Sequence, residues 1–151
     1  MNPADDLVVR ALICRTGNID WGIAETAVLE VTTRVAVTRI PRTRSAIRGL
    51  GNFRGLVLPV VDSRVLLGQT AVKDQAAVIL VDTGGHRVAL EVDEVYDIKT
   101  IPLDALTPGF SGNGVAQAAV LGNFEFQGTA LLLDFAVLLE PLFAGADERN
   151  P

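Results

Sequence analysis

One cysteine, Cys14, and one histidine, His86, stand in 151 residues. A lone cysteine rules out an intrachain disulfide, which fits a reducing compartment. One His and one Cys are too few for a Cys/His zinc site. Cys14 lies in an apolar run and reads as a small buried hydrophobe, since a catalytic thiol needs a base beside it. His86 follows two glycines and reads as a solvated turn residue, with no nucleophile elbow anywhere in the chain. There is no Gly-x-x-x-x-Gly-Lys-Ser/Thr loop and no Gly-x-Gly-x-x-Gly opening a helix. The longest uncharged stretch, residues 105–124, is broken by Pro108, Gly109, Gly112 and Gly114, so it is a loop and not a membrane span. The first six residues are acidic and polar, unlike a signal peptide. The expectation is a cytoplasmic chain with no enzyme activity, no cofactor and no metal.

What the chain has is aliphatic. Apolar residues make up 49% and aromatics only 5%, with Val and Ile favouring strands through their stiff, β-branched side chains. Residues 7–14 and 19–23 read as strands of a hairpin around Gly17-Asn18, where positive φ is tolerated. Residues 24–31 read as a short helix, because Ala24, Ala27, Val28 and Val31 fall at helical spacing. Residues 34–40 read as a strand stopped by Pro41, 42–45 as a polar loop, and 46–53 as an irregular turn-and-strand segment. Residues 56–61 are strand-like, and Pro59, which cannot donate to a ladder, predicts an edge strand or a bulge.

Asp62 is placed to cap a short helix over 63–67 that Gly68 ends. Residues 69–75 read as a polar connector. Strands are expected at 76–81 and 87–92 around a loop at 82–86, then at 94–101, followed by a long loop over 103–116. A last hairpin, 117–126 with 129–133, precedes a helix near 134–142, capped by Asp134 and packed by Phe135, Leu138, Leu139 and Leu142. Glu91, Asp93 and Glu94 read as solvated edge charges. Helices long enough for βαβ crossovers are missing, so a parallel sheet is not expected.

Gly51-Asn52-Phe53-Arg54-Gly55 leads into an apolar strand, then Asp62 and a helix. Gly122-Asn123-Phe124 leads through Gly128 into an apolar strand, then Asp134 and a helix. The shared order predicts two related barrel-like halves.

Charge is uneven. Residues 1–65 carry nine Arg and six acids, while residues 66–151 carry four basic residues and twelve acids. Between Thr32 and Val61 there is no acid, but six Arg: Arg34, Arg39, Arg42, Arg44, Arg48 and Arg54. This is either a solvated face or a surface for an anionic partner. A nucleic-acid-binding barrel using residues 34–54 is the alternative reading. Scarce aromatics and a pI near 4.8 weigh against it.

One segment is distinctive: Ile47-Arg48-Gly49, then Asn52-Phe53-Arg54-Gly55, then Pro59-Val60-Val61-Asp62-Ser63-Arg64. It resembles the CheW signature, roughly I-[KR]-G-x-x-N-[LF]-R-G-x-[IV]-x-P-[IV]-[IV]-D-[LT]-R. Gly22-Ile23 with Val28-Leu29-Glu30-Val31, then Val92-Asp93-Glu94-Val95, and Leu132-Leu133-Asp134 with Leu138-Leu139 are similar to further elements of that family. Ser63 stands where the family commonly has Leu or Thr, and Trp21 where Tyr or Phe is usual.

The resemblance implies a mainly all-β fold: two intertwined SH3-like, five-stranded β-barrels with short helices and a C-terminal helix. It would span residues 7–143 as one domain, with 1–6 and 144–151 as flexible tails. It implies an adaptor that couples the cytoplasmic tip of chemoreceptors (methyl-accepting proteins) to the regulatory domain of a CheA-type histidine kinase, in arrays at the inner membrane. No nucleic acid and no direct membrane insertion are expected. By resemblance, Val28, Glu30, Val37, Gly49 and Arg54 lie at the receptor contact. Asn52, Gly55, Pro59 and Asp62 are structural. Ala24, Val28, Val31 and Val37 are candidate liners of an apolar groove for receptor helices. An internal pair between Arg54 and Glu30 is the other reading of Arg54.

Overall fold

The computed structural model describes residues 7–33, 35–39, 46–70, 77–109 and 114–148. Among the described residues, eleven strands form two mixed sheets. In chain order they are β1 (Val8–Thr16), β2 (Ile19–Ala24), β3 (Val28–Thr32), β4 (Val37–Thr38), β5 (Ile47–Phe53), β6 (Leu56–Asp62), β7 (Ala77–Thr83), β8 (His86–Val92), β9 (Glu94–Pro102), β10 (Val120–Glu125) and β11 (Thr129–Leu133). Two α-helices, α1 (Ser63–Leu66) and α2 (Phe135–Glu148), follow β6 and β11.

The first sheet runs β10-β11-β2-β1-β9, and the second β3-β7-β8-β6-β5-β4. Their wiring matches over five strands, and the short β4 of the second sheet has no counterpart in the first. β11 pairs parallel to β2 as β6 pairs parallel to β8; the other ladders are antiparallel. The two Gly-Asn-Phe segments occupy equivalent strands, β5 and β10, and the Asp after each following strand caps a helix. Asp62 Oδ1 accepts from Arg64 N at 2.8 Å, and Asp134 Oδ1 from Ala136 N at 3.0 Å. The internal similarity seen in the sequence is therefore a repeated five-strand unit, and each sheet curls into an SH3-like barrel.

Alternation along the strands explains the apolar content. Ala11 and Ile13 enter the interior of the first barrel with Ile101, Phe124, Ala130 and Leu132. Val78 and Leu80 enter that of the second with Phe53, Leu58, Val60 and Ala89. The intervening Leu12, Cys14, Ile79, Val81, Leu131 and Leu133 meet in a third, central cluster between the sheets, closed by Phe135, Leu138 and Leu139 of α2. Successive residues of a strand point to opposite faces, and here both faces are buried. The strands therefore read as continuous apolar runs.

Several sequence expectations are corrected. Residues 24–31 do not form a helix: a 3-10 turn (Glu25–Ala27) gives way to β3, which pairs antiparallel with β7. Residues 46–53 are not irregular, since all but Ala46 form β5, whose glycines sit in a regular ladder with one bulge. Pro59 is not on an edge strand. β6 lies between β5 and β8, and the pairing with β8 begins only at Val60, so the missing N–H of Pro59 interrupts no ladder. The turn after β7 is two residues, Gly84-Gly85, not five. Among the described residues 35–39, only Val37–Thr38 is strand. Arg34, Ile40 and residues 41–45 and 71–76 lie outside the described residues. α2 continues to Glu148, past Leu142.

Candidate functional site

The signature segment builds β5, a tight turn, β6 and α1. In the turn, Arg54 and Gly55 have φ of 55° and 91°. Two successive positive φ values give the turn whose twist suits a two-residue hairpin. Gly55 adopts it freely. Arg54, as an L-residue, is helped by Asn52, whose Oδ1 accepts from Gly55 N at 2.7 Å. Asn52 and Gly55 shape the turn, and Asp62 caps α1.

The hairpin tip holds Arg54 in solvent, 74% exposed, where its Nη2 donates to Glu30 Oε1 on β3. That hydrogen bond lowers the Glu30 carboxyl pKa and raises that of the guanidinium. The internal pair weighed from sequence is present, but as an exposed latch, not a buried brace. Leu29 and Val31 of β3 and Leu56 and Val57 of β6 are exposed beside these residues in sequence, Leu29 and Val57 to 51% and 55%.

The remaining candidates are dispersed. Val28 is half-buried against the central cluster. Val37 is half-buried against the interior of the second barrel. Ala24 is half-buried at the end of β2, and Val31 is exposed. Gly49 is buried, with φ 151°; a Cβ there would meet Thr38 O at 2.2 Å. It is the residue over which the β4 segment passes. Of the five receptor-contact candidates, only Glu30 and Arg54 touch. Sequence reasoning missed Leu29, Leu56 and Val57, which look like core residues in apolar strands. Only their position beside an exposed turn sets them apart.

At the other end of the β5–β6 hairpin from the Arg54 turn lies a polar seam. Arg48 is the extra residue of the β5 bulge between Ile47 and Gly49. A bulge re-aims its side chain, and Arg48 Nη1 donates to Glu91 Oε1 at 2.5 Å. Glu91 is only 1% exposed. Arg64 Nη2 reaches Asp93 Oδ2 at 2.7 Å, and the same oxygen accepts from Gly17 N at 2.5 Å. Glu91 and Asp93 are therefore not solvated edge charges; each meets an Arg brought by another element. Burial raises the Asp62 carboxyl pKa, opposed by the backbone N–H groups of Arg64 and Val65 and the charges of Arg48 and Arg64. Trp21 Nε1 donates to Thr16 Oγ1 at 2.9 Å, and Thr16 Oγ1 lies 2.8 Å from Ser63 Oγ, tying the first barrel to α1.

His86 is not a solvated turn residue either. It stacks on Phe143 of α2 at 4.7 Å, and its Nε2 lies 3.0 Å from Glu140 Oε2. Cys14 is buried, and burial pushes its thiol pKa upward, as expected for an inert side chain. Among the described residues, no three His, Cys, Asp or Glu side chains gather as a metal site, and no helix is long and apolar enough to cross a membrane.

The family model for the CheW-like domain matches residues 10–142. The chain belongs to the CheW-like domain family. It is 35% identical over 99 residues to the chemotaxis protein CheW of Klebsiella aerogenes, covering 64% of this chain and 60% of that protein. It is 30% identical over 131 residues to protein FrzA of Myxococcus xanthus, covering 83% and 82%. The solved scaffolding protein TtCheW of Thermoanaerobacter tengcongensis superposes with a TM-score of 0.77 at 23% identity, over 89% of this chain and 94% of that one; it shares the fold of two SH3-like barrels. The nucleic-acid reading finds no support in this family, and two of its arginines, Arg48 and Arg54, are already engaged with Glu91 and Glu30. Arg34, Arg42 and Arg44 lie outside the described residues.

Proposed function

We propose that this CheW-family chain is a non-enzymatic chemotaxis adaptor that couples the cytoplasmic tip of a chemoreceptor to the regulatory domain of a CheA-type histidine kinase. It works in the cytoplasm, at receptor arrays, through a unit spanning residues 7–143. The observation that carries this reading is the signature segment, which presents Arg54 on a rigid turn while its other marked residues serve that turn and the strands behind it. A receptor tip is a helical hairpin, which binds through apolar ridges and a few charges. Glu30 and Arg54 supply the charges, and Leu29, Val31, Leu56 and Val57 are exposed apolar side chains on the strands that carry or adjoin them. Val37 and Gly49 support these strands from within the second barrel rather than by direct contact.

The test is Arg54→Ala, measured by melting temperature and by affinity for a receptor cytoplasmic fragment and for the kinase regulatory domain. An Arg fork makes charge-assisted hydrogen bonds, stronger than neutral ones. The expected result is a melting temperature lowered by no more than the loss seen for Glu30→Gln, the small share of an exposed pair, with a several-fold weaker receptor contact and an intact kinase contact. A lowered melting temperature with both contacts weakened would make Arg54 a brace only. Both affinities intact at unchanged stability would remove Arg54 from the interface.

A further inference from the structure

β9 and β10 are the two outer strands of the first sheet, and the barrel stays open between them. At one end of this seam the rings of Tyr96 and Phe126 meet at 5.1 Å. At the other, Thr107 pairs with Asn123: Thr107 N donates to Asn123 O at 3.0 Å, and Asn123 N to Thr107 O at 2.9 Å. Between them lies a cleft of about 560 Å³, lined by residues 99–102, Ala105 and residues 124–127.

The ladder parity fixes which backbone groups face this cleft. Phe126 N donates to Gly128 O, so Phe124 and Gly122 direct their N–H and C=O toward β11, while Glu125 and Asn123 direct theirs outward. Asn123 is satisfied by Thr107. The same register would set Ala105 opposite Glu125, but there the chain is coiled in the 3-10 turn Leu103–Ala105. Glu125 is left with an outward N–H and C=O and no strand to pair. On the far wall, Leu103 N donates to Leu7 O, so Thr100 of β9 also faces its N–H and C=O outward. In the second barrel the corresponding seam is occupied by β4 on β5 and crossed by the Glu30–Arg54 pair.

From this geometry we infer that the seam is a docking site for an extended, basic peptide segment of a partner protein. The segment continues the Thr107–Asn123 pairing by exchanging two hydrogen bonds with the backbone of Glu125, the mode in which a peptide adds a strand to a sheet edge. Ile101 and Phe124, both buried, give the cleft an apolar floor for every second side chain. The cleft is lined by Glu125 and Lys99; Asp97 on β9 and Asp104 in the 3-10 turn, both exposed, add two carboxylates next to its lining residues in sequence, while Arg15 at the Tyr96 end is paired with Asp20. The excess of negative charge selects lysine or arginine on the outward-facing side chains. This inference does not depend on the coupling role, because it uses neither the second barrel nor Arg54.

The probe is a capped heptapeptide of alternating valine and lysine, titrated into the full chain and followed by amide NMR and hydrogen exchange. Saturable, salt-sensitive binding is expected, with the Glu125 amide shifting and becoming protected. Glu125→Pro removes the outward amide without touching the β11 ladder, and should weaken binding by about tenfold or more. Glu125→Gln should keep the protection and lose part of the salt dependence. Should the proline variant unfold, two peptides N-methylated on alternate edges decide the matter with the unaltered protein: only one should bind. No saturation at millimolar peptide would overturn the proposal. So would a folded Glu125→Pro variant that binds unchanged, equal binding of the two methylated peptides, or equal binding of a valine–glutamate peptide.

Discussion

Removing Arg48 should destabilise the fold more than removing any other described arginine. Glu91 sits in β8 at the centre of the second sheet, 1% exposed, and accepts from Arg48. Asp62, also buried, is its register partner on β6 and is itself stabilised as an anion by the Arg48 charge. Arg48→Met would leave two neighbouring buried carboxylates without that cation. Breaking a buried pair from one side costs about 3–5 kcal/mol. Because 31% of the Arg48 side chain is exposed, water can enter the vacated end, and a loss of about 3 kcal/mol, the lower end of that range, is expected. At this chain length that is a fall of about 6–12 °C in melting temperature.

The companion variant is Arg48→Met with Glu91→Met, which removes both charges while keeping apolar volume. It should recover to within about 1 kcal/mol of the parent protein, since well-packed apolar replacements of buried ion pairs are commonly near neutral. Urea denaturation of the parent, the two single variants Arg48→Met and Glu91→Met, and the double variant gives the coupling free energy directly. A loss below about 1 kcal/mol for the single variant, or a double variant no more stable than the single one, would refute the reasoning.

Three further outcomes follow from other parts of the molecule. Gly49→Ala forces a Cβ against Thr38 O and should cost about 2 kcal/mol or more in urea denaturation, because backbone atoms on both sides must shift. Thr16→Val leaves the Trp21 indole N–H buried without its acceptor and should cost about 1–3 kcal/mol, with a change in Trp21 fluorescence. Arg54 lowers the Glu30 carboxyl pKa below its usual 4.5, so the stability from that pair is present above the unfolded value and lost as pH falls through the folded one. The melting-temperature difference between the parent and Glu30→Gln should therefore shrink in acid, and shrink at pH 7 as salt is added.

Local chemistry made much of this fold legible. Gly17 and Gly84-Gly85 announced hairpins because few other residues accept their positive φ. Asp62 and Asp134 announced helix starts because a short carboxylate can reach the first free N–H groups. What failed depended on distant partners. Residues 28–31 look helical by spacing, yet β3 exists because β7, fifty residues on, supplies its ladder; the bulge beside Leu29 also breaks the two-residue alternation. Glu91, Asp93 and His86 looked solvated because Arg48, Arg64 and Phe143 are far away in sequence. The face around Arg54 was legible only through the family resemblance, since an exposed Arg in a turn carries no signal of its own.

The wiring of the two barrels also sets the order in which the protein can be completed. Every strand of the second barrel lies between Val28 and Val92, whereas the first needs β1 and β2 from one end of the chain and β9 to β11 from the other. During synthesis the second barrel can therefore close while the first is still a single hairpin. The partner edge of β2 stays bare until β11 emerges. The second barrel is in effect a guest inserted into a host, and its termini must lie close enough to hand the chain from β2 to β3 and back from β8 to β9. Truncation after Val92 should leave a guest able to fold beside an unfinished host, while truncation within α2 strips the lid from the central cluster that both share.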